Sequence, residues 1–332
     1  MLVGLGSVRC SDQDQALETI YISGSKSAND KCQGLLWVQG SAVPLTEEFY
    51  CPNLRGGFLV TDVSLLATEV LAVGVTPDGR GGIWRNGSFS RLPGFSSSES
   101  VIPQSIWVAG ADVYVAGLNR TRGLLWRNGL PDTLRRPIHL PGAETRFSGV
   151  DGSGTDLVVV GTVSDSDLDL MNPVVWFNGE PTILDTLGSY PYGVGNDVAL
   201  DAGVIHVVGT LYDRRQIGPA LSRPAVWHNG KLKVLASTGV ANAVCVDNGN
   251  VYVAGRELSF PVYWKNEEEA YPLALPSKYS SGTATDIVVK GNDVYVVGTV
   301  FDGAESFAVY WKNDVLNVLD GTLATALHVQ LK

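Results

Sequence analysis

One motif recurs seven times along the chain: an apolar residue, a tryptophan, a variable residue, an Asn or Gln and, in most copies, a Gly. The tryptophans are Trp37, Trp84, Trp126, Trp176, Trp227, Trp264 and Trp311, spaced 37 to 51 residues apart. Each follows an apolar run that ends in glycine. These runs are Ile20 to Gly24, Val70 to Gly74, Val113 to Gly117, Leu157 to Gly161, Ile205 to Gly209, Val251 to Gly255 and Val294 to Gly298. A unit of this length cannot bury its own apolar face, so seven copies must stack on one another.

Each unit reads as a four-stranded meander. Thr285 to Val289 is short, β-branched and partly alternating, as a first strand should be. Lys290-Gly291-Asn292-Asp293 supplies a tight turn, and Val294 to Val297 makes a second strand fit for burial on both faces. After a variable loop, Phe307 to Trp311 forms the third strand. The turn that follows carries Asn-Gly in Asn86-Gly87, Asn128-Gly129, Asn178-Gly179 and Asn229-Gly230. Asn-Gly is the strongest short hairpin signal, because type I′ geometry needs positive φ at both central residues. Gln39-Gly40, Asn266-Glu267 and Asn313-Asp314 depart from it. The expected fold is therefore all-β: a seven-bladed β-propeller of four-stranded antiparallel blades, one domain over residues 1–332. A Trp at one place in every blade is expected to fill the wedge between adjacent sheets.

Ring closure should come from a terminal strand that covers the open sheet edges. Ala324 to Val329 copies the first strand of a blade, and Val3 to Cys10 resembles one as well, so the sequence leaves the closing segment open. An eighth blade would need an eighth motif, which the sequence lacks.

The segments Val294 to Gly298 and Ala308 to Asn313 resemble the "VYVAG…AVYWKNG" repeats of a family of bacterial exported proteins. The resemblance runs along nearly the whole chain. It implies a propeller and export, and it brings no catalytic residues. The repeats differ from kelch repeats, which place a Gly pair ahead of Tyr and Trp, and from WD repeats, which need Trp-Asp.

A net charge of −10 excludes the basic surface that nucleic acid requires and argues against docking on an anionic membrane. No apolar run reaches the length of a membrane-spanning helix, so no membrane insertion is expected. Met1-Leu2-Val3-Gly4 has no basic n-region. Low charge and frequent Gly and Ser favour a secreted, periplasmic or cell-surface protein whose leader is absent from this chain, with a cytoplasmic one as the alternative. The four cysteines include no CxxC pair. Cys32 and Cys51 fall on one face of the first blade, where a disulfide would suit an oxidising compartment.

No nucleophile–base set, HExxH or GxSxG motif is present, and His139, His206, His228 and His328 are dispersed. His206 and His228 share a blade and read as substituted strand residues. Asp165-Ser166-Asp167-Leu168-Asp169 begins like a calcium loop, but Leu170 and Trp176 stand where an EF-hand needs Gly and Glu. No cofactor is expected beyond a loose Ca²⁺ site.

Loop length gives a pointer. The gaps from Gly161 to Trp176 and from Gly209 to Trp227 are the two longest and lie in neighbouring blades. They would raise one rim carrying Asp165, Asp167, Asp169, Tyr212, Asp213, Arg214, Arg215 and Arg223, a mixed-charge surface suited to recognition. Trp107, outside the Trp register, is a further contact candidate at the central channel. The expectation is a monomeric, non-catalytic binding propeller that presents a loop face to a protein or carbohydrate. A glycan hydrolase or lyase with acids at the central opening is the alternative.

Overall fold

The computed structural model describes residues 19–28, 30–51, 59–94, 100–119, 122–132, 134, 143–165, 168–213, 222–268, 270–322 and 324–331. The described residues form seven antiparallel sheets, arranged as a seven-bladed propeller. Blades 2 to 7 occupy 60–91, 102–132, 144–183, 192–234, 239–272 and 281–322, each with its four strands hydrogen-bonded in chain order. Blade 1 takes its three outer strands from 20–44 and its innermost strand from the C-terminal Ala324–Leu331, which pairs antiparallel with Ile20–Ala28. The C-terminal segment is thus the one that closes the ring. Val3 to Cys10 lies outside the described residues. Phe49–Tyr50 adds a short fifth strand to blade 1.

All seven motif tryptophans are buried to 2% exposure or less. Most share a core cluster with the blade that precedes them: Trp176 with Ala116 and Leu125 of blade 3, Trp227 with Val158 and Val160 of blade 4, and Trp311 with Tyr252 and Ala254 of blade 6. The indole N–H finds a partner in the connection entering its own blade: Trp126 donates to the Pro93 carbonyl and Trp311 to that of Ala274, each at 2.7 Å. A buried indole with its one donor satisfied contributes its full apolar area to the core.

The third-to-fourth-strand turns adopt the conformation expected of Asn-Gly. Asn178 has φ 50° and Gly179 φ 88°. Asn266-Glu267 and Asn313-Asp314 keep the same backbone, with φ 50° and 61°, and 47° and 67°. In these two turns Glu267 and Asp314 thus take the left-handed place that glycine holds elsewhere, at a cost of about 1–2 kcal/mol each.

The glycine that ends each apolar run does not end its strand. The strand of Gly298 runs from Asp293 to Phe301, and that of Gly161 from Asp156 to Asp165. Both glycines face a β-bulge in the innermost strand, at Thr285 and Ser148 respectively. The bulge pushes a carbonyl toward the neighbouring strand, so a Cβ on Gly298 would collide with the Thr283 oxygen and one on Gly161 with that of Arg146. The glycine marks a mid-strand close approach rather than an exit from the sheet.

Candidate functional site

The meander gives the propeller two unlike faces. One carries the loops between second and third strands and the connections between blades. The other carries the tight turns joining strands one to two and three to four.

Of the residues expected on the raised rim, the described ones belong to the loop face. Asp165 Oδ1 accepts the Leu168 N–H at 3.1 Å, and Asp169 Oδ2 accepts the Tyr192 hydroxyl at 2.6 Å. The Arg223 guanidinium lies over the Tyr190 ring, 4.4 Å from its centroid. Asp169 and Arg223 thus converge on one short segment, the entry into blade 5. Tyr212 is buried, and burial pushes its phenol up against the opposing effects of Thr210 and Arg256. Asp213 stands at the end of that strand. Asp167, Arg214 and Arg215 lie outside the described residues. Trp107 sits at the other end of its blade, near the strand one-to-two turn. It packs 5.3 Å from Tyr114 and against Gly152 of blade 4.

The innermost strands carry several acids, and these are engaged between blades. Asp62 Oδ2 accepts the Ile106 N–H, Asp151 Oδ2 that of Leu200, and Asp197 Oδ2 that of Val244, at 2.8 to 2.9 Å, each bond reaching the next blade. The bulge residues add a second set: Ser148, Asn196 and Asn242 donate to the carbonyls of Gly195, Ala241 and Ala284 at 2.7 Å. Burial lifts the Asp151 carboxyl to about 6 against its two backbone hydrogen bonds. Among the described residues, no group of three or more His, Cys, Asp or Glu side chains is placed to hold a metal ion.

The turn face holds two arrangements that break the seven-fold pattern. The first is in blade 5, where His206 and His228 are cross-strand partners with Nδ1 atoms 2.6 Å apart. His228 Nε2 also meets Glu267 of blade 6, whose second oxygen takes Lys233 at 2.8 Å. Burial, then the charge of His228, holds His206 below its usual value. Glu267 replaces the turn glycine of its blade and ties that turn to blade 5. Asp314 replaces the same glycine in blade 7 and accepts the Ala274 N–H, in the connection from blade 6, at 2.6 Å.

The second arrangement is a cleft of about 380 Å³ between blades 6 and 7, lined by Tyr252, Tyr263, Tyr271, Lys265, Asp247, Asn248, Asn250 and Asn292 among others. A neighbouring hollow of about 350 Å³ shares Tyr263, Asn292 and Val294 and reaches Asn313 and Asp314. Tyr263 and Tyr271 are register partners on strands three and four, stacked at 5.0 Å with their planes 8° apart. Tyr271 is 42% exposed. Tyr252 lies 6.5 Å from Tyr263 and carries the Lys265 ammonium 5.2 Å from its ring centre. Burial, then the neighbouring Tyr271, raises the Tyr263 phenol. Apolar ring faces, amide groups, a carboxylate and an ammonium therefore border one open hollow.

The sequence carried a signal for this cleft that loop length did not reveal. The residue before the motif Trp is Leu36, Ile83, Leu125, Val175 or Val226 in blades 1 to 5 and Tyr only in blades 6 and 7. Its register partner on strand four is Tyr only in blade 6.

No protein-family model matches the chain, and no curated protein matches it in sequence. Solved structures with the same architecture include the β-propeller domain of the trilobed protease from Pyrococcus furiosus, described as having an open velcro topology. It is 10% identical with a TM-score of 0.51, over 91% of this chain and 92% of that one. Others are the lectin of Aleuria aurantia bound to α-methyl-L-fucoside (11% identity, TM-score 0.43, 81% and 95% covered) and a thermostable family-43 glycoside hydrolase (10%, 0.40, 66% and 92%). At 10% identity the likeness to the Pyrococcus furiosus propeller shows the fold alone.

Proposed function

We propose that this propeller is a non-catalytic recognition module that takes a saccharide in the cleft between blades 6 and 7. The carrying observation is the stacked Tyr263–Tyr271 pair, present in one blade of seven, beside Asn and Lys donors. A binding site needs such asymmetry within a repeat. Sugar rings offer apolar C–H faces that lie on aromatic rings, and hydroxyls that exchange hydrogen bonds with amides and carboxylates.

Two further observations support the reading over its competitors. Three acids of the innermost strands, Asp62, Asp151 and Asp197, are bonded to backbone amides of the next blade. On the loop face, Asp169 and Arg223 are engaged in holding the entry to blade 5. The disulfide between Cys32 and Cys51 supports an oxidising compartment, outside a cell or at its surface. Among the described residues no helix is long and apolar enough to cross a membrane.

The test is calorimetric titration with a panel of oligosaccharides, on the intact chain and on Tyr271→Ala. Binding that weakens at least about tenfold on loss of the ring is expected, the size of a stacking hot spot. Binding indifferent to Tyr271, or turnover of the oligosaccharide, would overturn the proposal.

A further inference from the structure

Four blades place a cation directly after the motif Trp, and in three of them a carboxylate neutralises it. Arg85 meets Glu69 at 2.5 Å, Arg127 meets Asp112 at 2.6 Å and Lys312 meets Asp293 at 3.0 Å. The geometry is repeated: the acid always lies two residues before the cation's cross-strand partner, which is Leu71, Tyr114 or Tyr295. In blade 6 the cation is Lys265, its partner is Tyr252, and the residue two positions earlier is Asn250.

Asn250 keeps the structural half of the acid's role. Its Oδ1 accepts the Asn266 amide at 2.9 Å, as Asp112 accepts Asn128 and Asp293 accepts Asn313. It omits the charge. Among the described residues, the groups acting on the Lys265 ammonium are the three cleft tyrosines: Tyr252 accepts its hydrogen bond, and Tyr271 and Tyr263 stand nearby. The Asp247 carboxylate, on the same cleft, takes the Asn248 amide at 2.9 Å. One blade has thus left its repeated cation without a carboxylate, in the tyrosine-lined cleft of a protein whose net charge is −10. An ammonium retained there without its partner is a ready site for a ligand anion.

We infer that the cleft selects an acidic saccharide, its ring against Tyr271 and its carboxylate or sulfate on Lys265. This inference rests on the saccharide reading above. The aromatic pair favours a flat-faced sugar ring over an acidic peptide, and the anion's source is either a uronate or a sulfate ester.

The test compares matched probes on the intact chain: a uronic-acid trisaccharide against its methyl ester, a sulfated trisaccharide against its desulfated parent, and a glutamate-rich peptide. The charged member of at least one sugar pair should bind about fivefold more tightly than its neutral form at low salt, a ratio suited to one partly exposed ion pair, and added salt should erase the difference. In Asn250→Asp, which restores the acid of blades 3 and 7, and in Lys265→Gln, the ratio should fall to about one. Melting curves will confirm that both variants are folded. Which pair shows the preference identifies uronate or sulfate. Equal binding of charged and neutral forms, or a preference that survives Asn250→Asp, would overturn the inference while leaving the saccharide reading intact. Failure of every saccharide to bind, or tighter binding of the peptide than of any sugar, would overturn both.

Discussion

Asn313 holds the start of the second strand of its blade: its Oδ1 accepts the Val294 N–H at 2.8 Å while its Nδ2 donates to Asp293 at 2.7 Å. The same acceptance links Asn86 to Val70, Asn128 to Val113, Asn178 to Leu157, Asn229 to Ile205 and Asn266 to Val251. The motif Asn therefore has two roles: it tolerates the left-handed backbone, and its amide pins one hairpin to the next. Substitution separates them. Asn178→Gly keeps the backbone and loses only the side-chain bonds, for about 1 kcal/mol. Asn178→Ala also takes on the left-handed penalty and should cost about 1 kcal/mol more. Chemical denaturation of the two variants would show whether that order holds. Equal losses would mean that the left-handed backbone costs alanine nothing at this turn and that the side-chain bonds carry the whole effect.

Glu267 departs from Asn-Gly in order to reach another blade. Its carboxyl is lifted by burial, but Lys233 and His228 outweigh that and leave it below its usual range. A lowered carboxylate stabilises the fold at neutral pH, and that contribution disappears as pH falls through the lowered value. His206 has the same sign at a higher pH. Its folded value lies below 6.5, so the unfolded ring takes up a proton first and stability declines as pH drops beneath about 6.5. The double variant His206→Tyr, His228→Lys installs the Tyr–Lys pair found in blades 6 and 7. It should flatten the melting temperature between pH 6.5 and 5 relative to the parent. An unchanged slope there would remove His206 as its source.

Much of the fold could be read from residues that repeat. Seven tryptophans with their hairpin turns set blade number and order, because a buried indole and a type I′ turn each constrain the chain locally. The closing strand could not be decided, since Val3 to Cys10 and Ala324 to Val329 carry similar patterns and the choice is made by pairing across the whole chain. The bulge opposite each glycine was hidden because Thr285 or Ser148 in a strand looks like any other polar residue. The cleft is faint in the sequence for the opposite reason. Tyr263, Tyr271 and Asn250 vary at fixed positions inside regular strands, where loop length gives no pointer. In a repeat protein the informative residue is the one that breaks register composition while keeping register geometry.

The Cys32–Cys51 bridge closes 19 residues of sequence beside Leu59 at the outer part of blade 1. A loop of this size corresponds to about 3 kcal/mol of constraint on the unfolded chain. The double variant Cys32→Ser, Cys51→Ser should melt several degrees lower than the oxidised protein, and reductant should lower the parent's melting temperature toward the same value. Cys245, whose thiol burial pushes up, should resist alkylation in the folded state, so peptide mapping after labelling under native conditions ought to find its thiol unmodified.

Asp151 opposes His206 in the acid range. Its carboxyl is raised to about 6 because burial outweighs the hydrogen bonds from Leu200 and Gly152. A raised folded value means that the native state holds the proton more tightly than the unfolded chain, so stability is greatest at low pH and is lost as pH rises through about 6. At pH 7 the molecule therefore keeps an ionised group in a partly dry site in order to tie blade 4 to blade 5. Asp151→Asn retains an oxygen for the Leu200 N–H and removes the charge. It should stabilise the protein at pH 7 by about 1–2 kcal/mol and change little at pH 4.5, where the parent side chain is protonated in the fold. Denaturant midpoints at the two pH values would decide the matter. A loss of stability at pH 7 would mean that the ionised bond to Leu200 outweighs the cost of burying the charge, and the inter-blade ties would then owe their strength to charge rather than to geometry.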